Sequence, residues 1–254
     1  MSADPALVPE EVLDLARSAR RVLVLTGAGA SAESGVPTFR DAVTGLWSRF
    51  DPMQLATPEA WAADPAMCWA WYGWRAHLIR IAEPNPGHRA ITTWQQRPGV
   101  DLRVSTQNID DLHERAGTEV MAHVHGNLFD LWCADCEAPS AAEFPPVPEP
   151  VERIDPPRCE ACGGWVRPGI VWFGEMLPEA ELEATVTAAE RAELVVVVGT
   201  SGMVYPAAAV PGIARDLGTP VVEVNPAGST LPDGADHVIA APAGEALPDL
   251  VGNL

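Results

Sequence analysis

Positive charge is scarce in this sequence. Lys and Arg together number 16 against 35 Asp and Glu in 254 residues, so the formal net charge is −19 and the sequence pI is about 4.5. No stretch of the chain concentrates the basic residues. Because nucleic-acid-binding proteins need a basic surface to neutralise phosphates, this balance argues against that class. The acidic surface favours basic protein partners in a general way, or it serves solubility alone.

Long apolar runs are also absent. The densest one, Leu194 to Val198, has the length of a strand, far below the ~18 residues of a membrane-spanning helix. Residues 1–11 are acidic, without a cationic start or an apolar core, and so do not resemble a signal peptide. We therefore expect a cytoplasmic protein that does not contact a membrane.

Cysteine is scarce, and its spacing is informative. Four of the five cysteines form two Cys-x-x-Cys pairs, Cys133 with Cys136 and Cys159 with Cys162, while Cys68 stands alone. Four thiolates complete the tetrahedral coordination of zinc and leave no position for water, so the pairs predict one structural Zn²⁺. Disulfides are the alternative, and the lack of an export signal weakens it. We expect Cys68 to be a buried core thiol.

Short apolar segments alternate with helical ones along the chain. We predict strands at Val22–Leu25, Arg103–Ser105, Leu194–Val198, Val221–Val224 and His237–Ala240. The alternation predicts an α/β fold, a Rossmann-like parallel sheet with helices on both faces. Four of these strands end in small or polar residues, and open parallel sheets bind ligands beyond the carboxyl ends of their strands. We therefore expect one ligand-binding crevice at that edge.

Two insertions interrupt this alternation. One, at 58–82, is rich in Trp and Ala with helical periodicity, and the other, at 127–165, holds the paired cysteines and a proline-rich stretch. Such a stretch forms neither a regular helix nor a central strand. We expect a single unit over 1–254, made of a Rossmann-like domain (1–50, 84–126 and 170–254), a small helical insertion (51–83) and a zinc module (127–169).

Two short segments near the expected crevice are chemically suggestive. Gly27-Ala28-Gly29 follows the first predicted strand, and glycines there let the backbone approach a phosphate. The third glycine of the usual dinucleotide fingerprint is missing, so a tight turn without a ligand is the alternative. His125 follows the polar segment 107–110 and is a candidate general base, although spacing alone favours a structural role for any one histidine.

Several motifs together resemble the signatures of the sirtuin family of NAD-dependent protein deacylases. In chain order they are Gly27-Ala28-Gly29-Ala30-Ser31 with the segment 34–40, the segment 106–113, His125-Gly126, the paired cysteines, the segment 171–175, Gly199-Thr200-Ser201 and Asn225. The resemblance extends from Val22 to Ala243, nearly the whole chain. The family fold, a Rossmann-type domain with a small zinc module, agrees with the strand prediction.

The resemblance implies an enzyme that removes acyl groups from protein lysines with NAD as co-substrate. The products would be nicotinamide, free lysine and O-acyl-ADP-ribose. His125 would be the catalytic base, and Asn108 and Asp110 would orient the nicotinamide end of NAD. The residues implied in NAD binding are Gly27, Ala28, Gly29, Ser31, Phe39, Arg40, Trp47, Gln107, Asn108, Ile109, Asp110, Gly199, Thr200, Ser201, Asn225 and Ala243. The substrate backbone would pair as an added strand with Val171, Trp172, Phe173 and Gly174.

Two residues of the first insertion bear on the acyl group. Tyr72 and Arg75 are three apart, on one helix face, and a phenol with a guanidinium can bind a carboxylate. The pair resembles the Tyr-x-x-Arg signature of sirtuins that remove succinyl, malonyl and glutaryl groups, and Ala56 matches that subclass as a small residue that widens the pocket. The alternative is a core Tyr72 and a solvated Arg75. Some deacetylation is expected in either case.

Other functions remain open at this point. An ordinary protein deacetylase would lack the acidic-acyl preference, and a mono-ADP-ribosyltransferase would use the same NAD site with another acceptor. A non-enzymatic NAD-binding or zinc-module interaction protein would need no base at His125. We expect acyl-lysine proteins or peptides as partners, no nucleic acid, and a monomer.

Overall fold

The computed structural model describes residues 7–37, 51 and 55–254. In this part of the chain, a six-stranded sheet forms the centre, and all of its neighbouring strands are parallel. Two further strands form a small antiparallel sheet. Numbered along the chain, the strands are β1 (Arg21–Thr26), β2 (Asp101–Thr106), β3 (Val120–His123), β4 (Trp132–Cys133) and β5 (Val166–Arg167) of the small sheet, β6 (Leu194–Val198), β7 (Val221–Val224) and β8 (His237–Ile239).

The order of the large sheet is β3-β2-β1-β6-β7-β8. The chain builds outward from β1 to one edge and then returns to continue on the other side of β1. This is the doubly wound arrangement, and its order reverses between β1 and β6, where such sheets open a ligand crevice. The predicted fold class is confirmed.

The observed strands follow the apolar runs closely. β6 and β7 have the predicted bounds, β1 and β2 extend one or two residues beyond theirs, and β8 ends at Ile239 rather than at Ala240. Sequence patterning missed β3, which is four residues long and half-buried at the edge of the sheet. An edge strand with few buried side chains leaves little apolar signal to detect.

The helices begin where the sequence provides caps. Thr57 and Asp64 accept backbone N–H bonds at the starts of two consecutive helices, and Asn85 forms a capping box with His88. A proline follows each of these three caps at the first helical position. The helices are α1 (Glu10–Ser18), α2 (Gly29–Ala32), α3 (Pro58–Ala63), α4 (Pro65–Ile81), α5 (Pro86–Gln95), α6 (Leu112–Ala116), α7 (Glu179–Arg191), α8 (Val210–Asp216) and α9 (Ala243–Gly252).

Both faces of the large sheet are covered by helices. Alternate residues of β1 divide between the faces: Val22 and Val24 pack in the cluster that includes α1, α5 and α9, while Leu23 and Leu25 pack in the cluster of α7 and α8. This division follows from the two-residue period of a strand. None of the described helices combines the length and the apolar character needed to cross a membrane.

A third apolar cluster joins the two insertions. It contains the tryptophans of α3 and α4, two of the paired cysteines and part of the segment 127–170. Trp69 of α4 stacks on Phe144 with the ring centroids 4.3 Å apart. The predicted helical character of 58–82 is observed as α3 and α4. Because aromatic rings bury large areas, this cluster gives the helical insertion and the cysteine-containing segment a common core.

Candidate functional site

The strand ends meet at one edge of the sheet, as expected. Hydrogen bonds continue the parallel ladder one residue beyond the strands: Gly27 N to Val198 O at 2.9 Å, and Gly199 N to Val224 O at 3.0 Å. Gln107 N likewise donates to Thr26 O at 2.9 Å, and Asn225 N to Ile239 O at 3.1 Å. The four segments that the sequence singled out therefore leave the sheet side by side, around the position where the strand order reverses.

The turn after β1 lies directly against the turn after β6. Gly29 N donates to Gly199 O at 2.8 Å, and a Cβ on Gly29 would meet Gly199 Cα at 2.7 Å. Gly199 itself has a φ of +61°, the left-handed region that favours glycine. Ala28, between Gly27 and Gly29, is the N-cap residue of α2. This exposed backbone fits the close approach that a pyrophosphate requires.

Ser31 connects three residues of the crevice. Asn108 Nδ2 donates to Ser31 Oγ at 3.1 Å, the Ser31 side chain lowers the pKa of the Asp110 carboxyl, and His88 Nε2 lies 3.4 Å from Ser31 Oγ. Asp110 also accepts from Leu112 N at 3.1 Å. Burial raises the pKa of Asp110 to about 6, only partly offset by these hydrogen bonds. Hydrogen bonds thus orient the side chains of Asn108 and Asp110. Between them, the carbonyl oxygen of Ile109 accepts from Leu128 N at 2.9 Å.

His125 lies beside the same crevice, and one of its ring nitrogens forms a hydrogen bond with the backbone. Its Nδ1 is 3.1 Å from the carbonyl oxygen of Gln107, and its own carbonyl accepts from Val171 N at 2.9 Å. Burial lowers the pKa of His125, and the Gln107 bond opposes that shift only in part. A neutral imidazole with an unprotonated Nε2 suits a general base near neutral pH.

Tyr72 and Arg75 are both buried on α4, with 0% and 6% of their surfaces exposed. Trp172 Nε1 donates to the Tyr72 hydroxyl at 3.0 Å. The Arg75 guanidinium lies 5.3 Å from the ring centroid of Trp71, and its Nη2 donates to Pro37 O at 3.4 Å. The solvated Arg75 of the alternative interpretation is therefore not observed. Ala56 is buried too, and its carbonyl accepts from Phe173 N at 2.9 Å.

The segment 171–174 forms a turn in this structure rather than a strand. Phe173 and Val171 direct their N–H groups to Ala56 and His125, and Trp172 N donates to Glu175 Oε2 at 2.8 Å. This turn therefore touches both the proposed base and the proposed acyl pocket. The side chain of Phe173 is 38% exposed, and Gly174 has a φ of +90°.

A buried carboxylate organises the opposite end of the crevice. Glu223 Oε1 accepts from Thr230 N at 2.9 Å, and Glu223 Oε2 accepts from Ser229 Oγ at 2.8 Å. Asn225 Nδ2 donates to Thr200 O at 3.1 Å, which ties the loop after β7 to the turn after β6. Ser201 is half-buried. Ala243 begins α9, whose next residue, Gly244, donates its N–H to Glu33 at 2.6 Å.

The four paired cysteines meet in the second insertion. Their Sγ atoms all lie within 4.8 Å of one another, with Cys133 3.4 Å from Cys162 and Cys136 3.7 Å from Cys159. Zn–S bonds of ≈ 2.3 Å in a tetrahedron require S···S distances of about 3.8 Å, so the donor set fits a zinc ion. None of the four forms a disulfide, and the lone Cys68 is buried in the core as predicted.

Not every predicted site residue can be placed, and some important ones were missed. Phe39, Arg40 and Trp47 lie outside the described residues. Sequence reasoning assigned no chemistry to His88 or His113, and did not identify Arg167, Glu175 or Glu223 as organising residues. A charged residue inside an apolar run, as in Val221-Val222-Glu223-Val224, is the signal that would have found the last of these.

Fold and site together define a Rossmann-type nucleotide-binding protein with an inserted cysteine cluster. The Sir2 family matches residues 27–206. NAD-dependent protein deacylase 1 of Pseudomonas aeruginosa is 52% identical over 242 residues, covering 94% of this chain and 96% of that protein. NAD-dependent protein deacylase of Mycobacterium tuberculosis is 50% identical over 234 residues, covering 92% and 98%.

Solved structures agree with these sequence comparisons. A Sir2 homolog–NAD complex superimposes with a TM-score of 0.87 at 41% identity, covering 96% of this chain and 93% of that one. A Sir2–p53 peptide–NAD+ complex gives 0.82 at 30% identity, covering 96% and 97%. The chain belongs to the Sir2 family, and the predicted resemblance is confirmed.

Proposed function

We propose that this protein is an NAD-dependent protein-lysine deacylase that prefers acidic acyl groups, succinyl and malonyl, and retains some deacetylase activity. The observation that carries the proposal is the turn 171–175. It contacts His125 through Val171 N and contacts Tyr72 through Trp172 Nε1. One short segment thus links a candidate base to a candidate carboxylate site, at the edge where a dinucleotide would bind. The relatives named above support the activity class.

NAD would supply an electrophilic ribose carbon once its nicotinamide departs. The glycine turns at Gly27–Gly29 and Gly199 would receive the pyrophosphate, because side chains there would block its approach. Asn225, Thr200, Ser201 and Ala243 would hold the adenosine end. Asn108, oriented by Ser31, and Asp110, oriented by Leu112 N, would hold the nicotinamide end.

His125 would act as the base. A carbonyl oxygen only accepts hydrogen bonds, so the contact with Gln107 assigns the ring proton to Nδ1 and leaves a lone pair on Nε2. That nitrogen can take a proton from a ribose hydroxyl of bound NAD. Burial lowers the histidine pKa, which keeps the ring neutral and competent near pH 7.

Tyr72 and Arg75 would recognise the distal carboxylate of the acyl group. The Arg75 guanidinium is buried, and burial strengthens the attraction between it and a ligand carboxylate. The Tyr72 hydroxyl adds a neutral donor, since burial raises its pKa well above the usual range and keeps it protonated. An acetyl group fills less of the same space, which explains why we expect slower deacetylation rather than none.

The remaining assignments follow from this function. We propose that 127–169 is a module held by one structural Zn²⁺ at the four cysteines, that 51–83 supplies the acyl pocket, and that 1–50, 84–126 and 170–254 form the NAD-binding domain. The substrate backbone would pair with 171–174 through backbone groups other than the N–H groups of Val171, Trp172 and Phe173, which donate within the chain. We also propose a cytoplasmic monomer, and the net charge of −19 supports the absence of a nucleic-acid partner.

The test compares matched acetyl-, succinyl- and malonyl-lysine peptides with NAD, followed by mass spectrometry. We expect the acidic acyl groups to be removed faster, and Arg75→Met to lose that preference by about tenfold or more while still deacetylating. Arg80→Met is the matched control, because Arg80 lies on the same helix, is exposed, and donates to Phe144 O at 2.9 Å instead. It should keep the wild-type preference.

Two results would contradict the proposal at different levels. Equal rates on all peptides, with no effect of Arg75→Met, would leave an ordinary deacetylase and remove the acidic-acyl preference. No reaction with any peptide despite NAD binding would remove the deacylase function, and transfer of labelled ADP-ribose to protein would then be the next measurement.

A further inference from the structure

The hydroxyl of Tyr72 has a defined donor and acceptor side. An indole N–H can only donate, so the phenol oxygen is the acceptor in the 3.0 Å bond from Trp172 Nε1. Among the residues that the structure describes, Trp172 is the one hydrogen-bond partner of this hydroxyl. The phenolic proton is therefore still available to an acceptor, on a side chain that is fully buried. A buried hydroxyl proton without an acceptor is costly, and a ligand oxygen would remove that cost.

Trp172 is itself held in a fixed position. Its ring lies 3.4 Å from the Arg167 guanidinium and packs against Trp61 with the centroids 5.4 Å apart. Its backbone N–H donates to Glu175 Oε2. Arg167 in turn forms a bidentate pair with Glu175, at 2.6 and 2.8 Å. An ion pair with a buried guanidinium thus fixes the Trp172 indole, whose N–H donates to the Tyr72 hydroxyl.

We infer that Trp172 is a specificity-determining positioning residue: its N–H occupies the acceptor side of the Tyr72 hydroxyl, so that the phenolic proton is presented to the carboxylate of a bound acyl group. The inference rests on the proposed acyl-carboxylate role of Tyr72 and Arg75. It adds a residue 100 positions away in sequence that sets the direction of that donor. An acetyl group has no distal carboxylate, so its binding does not depend on this direction.

The experiment measures kcat/KM for succinyl- and acetyl-lysine peptides and uses the ratio of the two as the readout. Trp172→Phe removes the N–H but keeps an aromatic ring over Arg167. We expect the succinyl-to-acetyl ratio to fall roughly three- to tenfold, mostly through KM for the succinyl peptide. In a Tyr72→Phe background the same change should lower the ratio no further, since the hydroxyl that it orients is gone. Trp94→Phe is the matched control, because Trp94 is also fully buried but packs in the cluster of α1, α5 and α9, and it should keep the ratio.

A second substitution separates the hydrogen bond from packing if Trp172→Phe folds poorly. Benzothienylalanine at position 172 replaces the indole N–H with sulfur in a bicyclic ring of the same shape. We expect the same loss of ratio from it.

An unchanged ratio in either variant, or an equal further fall in the Tyr72→Phe background, overturns the inference. If wild type shows a succinyl preference that Arg75→Met removes while Trp172→Phe has no effect, only the positioning role is wrong. If wild type shows no such preference, the proposed function fails and this inference fails with it.

Discussion

His125 Nδ1 lies 3.1 Å from the carbonyl oxygen of Gln107, the residue that follows β2. This contact assigns the ring proton to Nδ1, because a carbonyl oxygen cannot donate. The same Gln107 donates its N–H to Thr26 O at 2.9 Å. The orientation of the proposed base is therefore fixed by the parallel sheet itself, through the end of a strand, rather than by a loop side chain.

The first prediction concerns this histidine and pH. His125→Asn should lower deacylation by about 10²- to 10⁴-fold on every acyl peptide, since it removes the basic Nε2. The neutral ring is the active form, and burial lowers its pKa. In wild type, the acid limb of kcat/KM should therefore lie below pH 6.5 rather than above it. His77→Asn, at a half-buried position on α4, is the control. An acid limb above pH 6.5 would contradict the lowered pKa of His125.

A second prediction concerns two histidines that face each other in the core. The rings of His88 and His113 pack edge to face with the centroids 4.8 Å apart, and His113 Nε2 lies 3.0 Å from Thr26 Oγ1. Burial lowers the pKa of His88 to about 4 and that of His113 to about 3. The unfolded chain binds protons on both near pH 6.5, so their contribution to stability is present above pH 6.5 and is lost as pH falls toward 4 and 3.

Asp110 changes the stability with pH in the opposite direction to the two histidines. Its folded pKa is raised to about 6 from 3.8, so its unfavourable contribution disappears as pH falls through that interval. Two histidines outweigh one carboxyl, and we expect unfolding free energy to fall by about 1 kcal/mol per pH unit between pH 6 and 4. Chemical denaturation of His113→Gln should give a shallower slope, whereas His77→Gln should keep the wild-type slope. Identical slopes in all three proteins would contradict the assignment.

The third prediction tests the cysteine cluster. Purified protein should contain one zinc ion per chain, and Cys159→Ser should lose the metal and lower Tm on the order of 10 °C, because metal binding contributes directly to the stability of such a module. Cys68→Ser is the control: Cys68 is also buried, yet its Sγ contacts Leu55 O at 3.7 Å and lies outside the cluster. It should keep the full zinc content. Metal analysis of both variants tests whether the paired cysteines hold the zinc ion. A zinc-free wild type that melts at the same temperature as the metal-loaded protein would contradict a structural role for zinc.

Local sequence patterns predicted the strands and helices, whereas the arrangement of the site depends on contacts between residues that no local pattern brings together. The five-residue run of β6 is apolar throughout and ends at Gly199, so both its existence and its bounds could be predicted. The Trp172–Tyr72 hydrogen bond could not, because it joins residues 100 apart in sequence. The Arg167–Glu175 pair is only eight residues apart. Its two members nevertheless lie on β5 and in a turn, and no spacing rule brings these together.

The family resemblance and the structure give different information about the site residues. Ser31, Asn108 and Asp110 were expected near NAD only through the family resemblance. The structure adds how they are held: Asn108 Nδ2 donates to the Ser31 hydroxyl, and Asp110 accepts from Leu112 N. Burial of Glu223 could be anticipated from its place inside β7. Its partners, Ser229 and Thr230, depend on how the following loop folds back.

The last prediction follows from a residue type that the 254 residues do not contain. All 16 positively charged side chains counted in the sequence are arginine, and lysine does not occur. A guanidinium stays protonated and does not attack a thioester, whereas a lysine amine does so when it is deprotonated. The proposed deacylase therefore carries, on its side chains, no site for the modification that it would remove.

Incubation of the purified protein with succinyl-CoA should accordingly leave at most one adduct that survives neutral hydroxylamine, on the α-amino group, and should not change the deacylation rate. Hydroxylamine removes thioesters formed at cysteines and so isolates the amine adducts. Arg191→Lys is the matched comparison, since Arg191 is an exposed residue at the end of α7, and its intact mass should gain one further adduct. The variant shows that the reagent detects an exposed lysine. Several stable adducts on the wild-type chain, or a loss of activity that tracks them, would mean that other side chains are acylated and that the absence of lysine gives no protection.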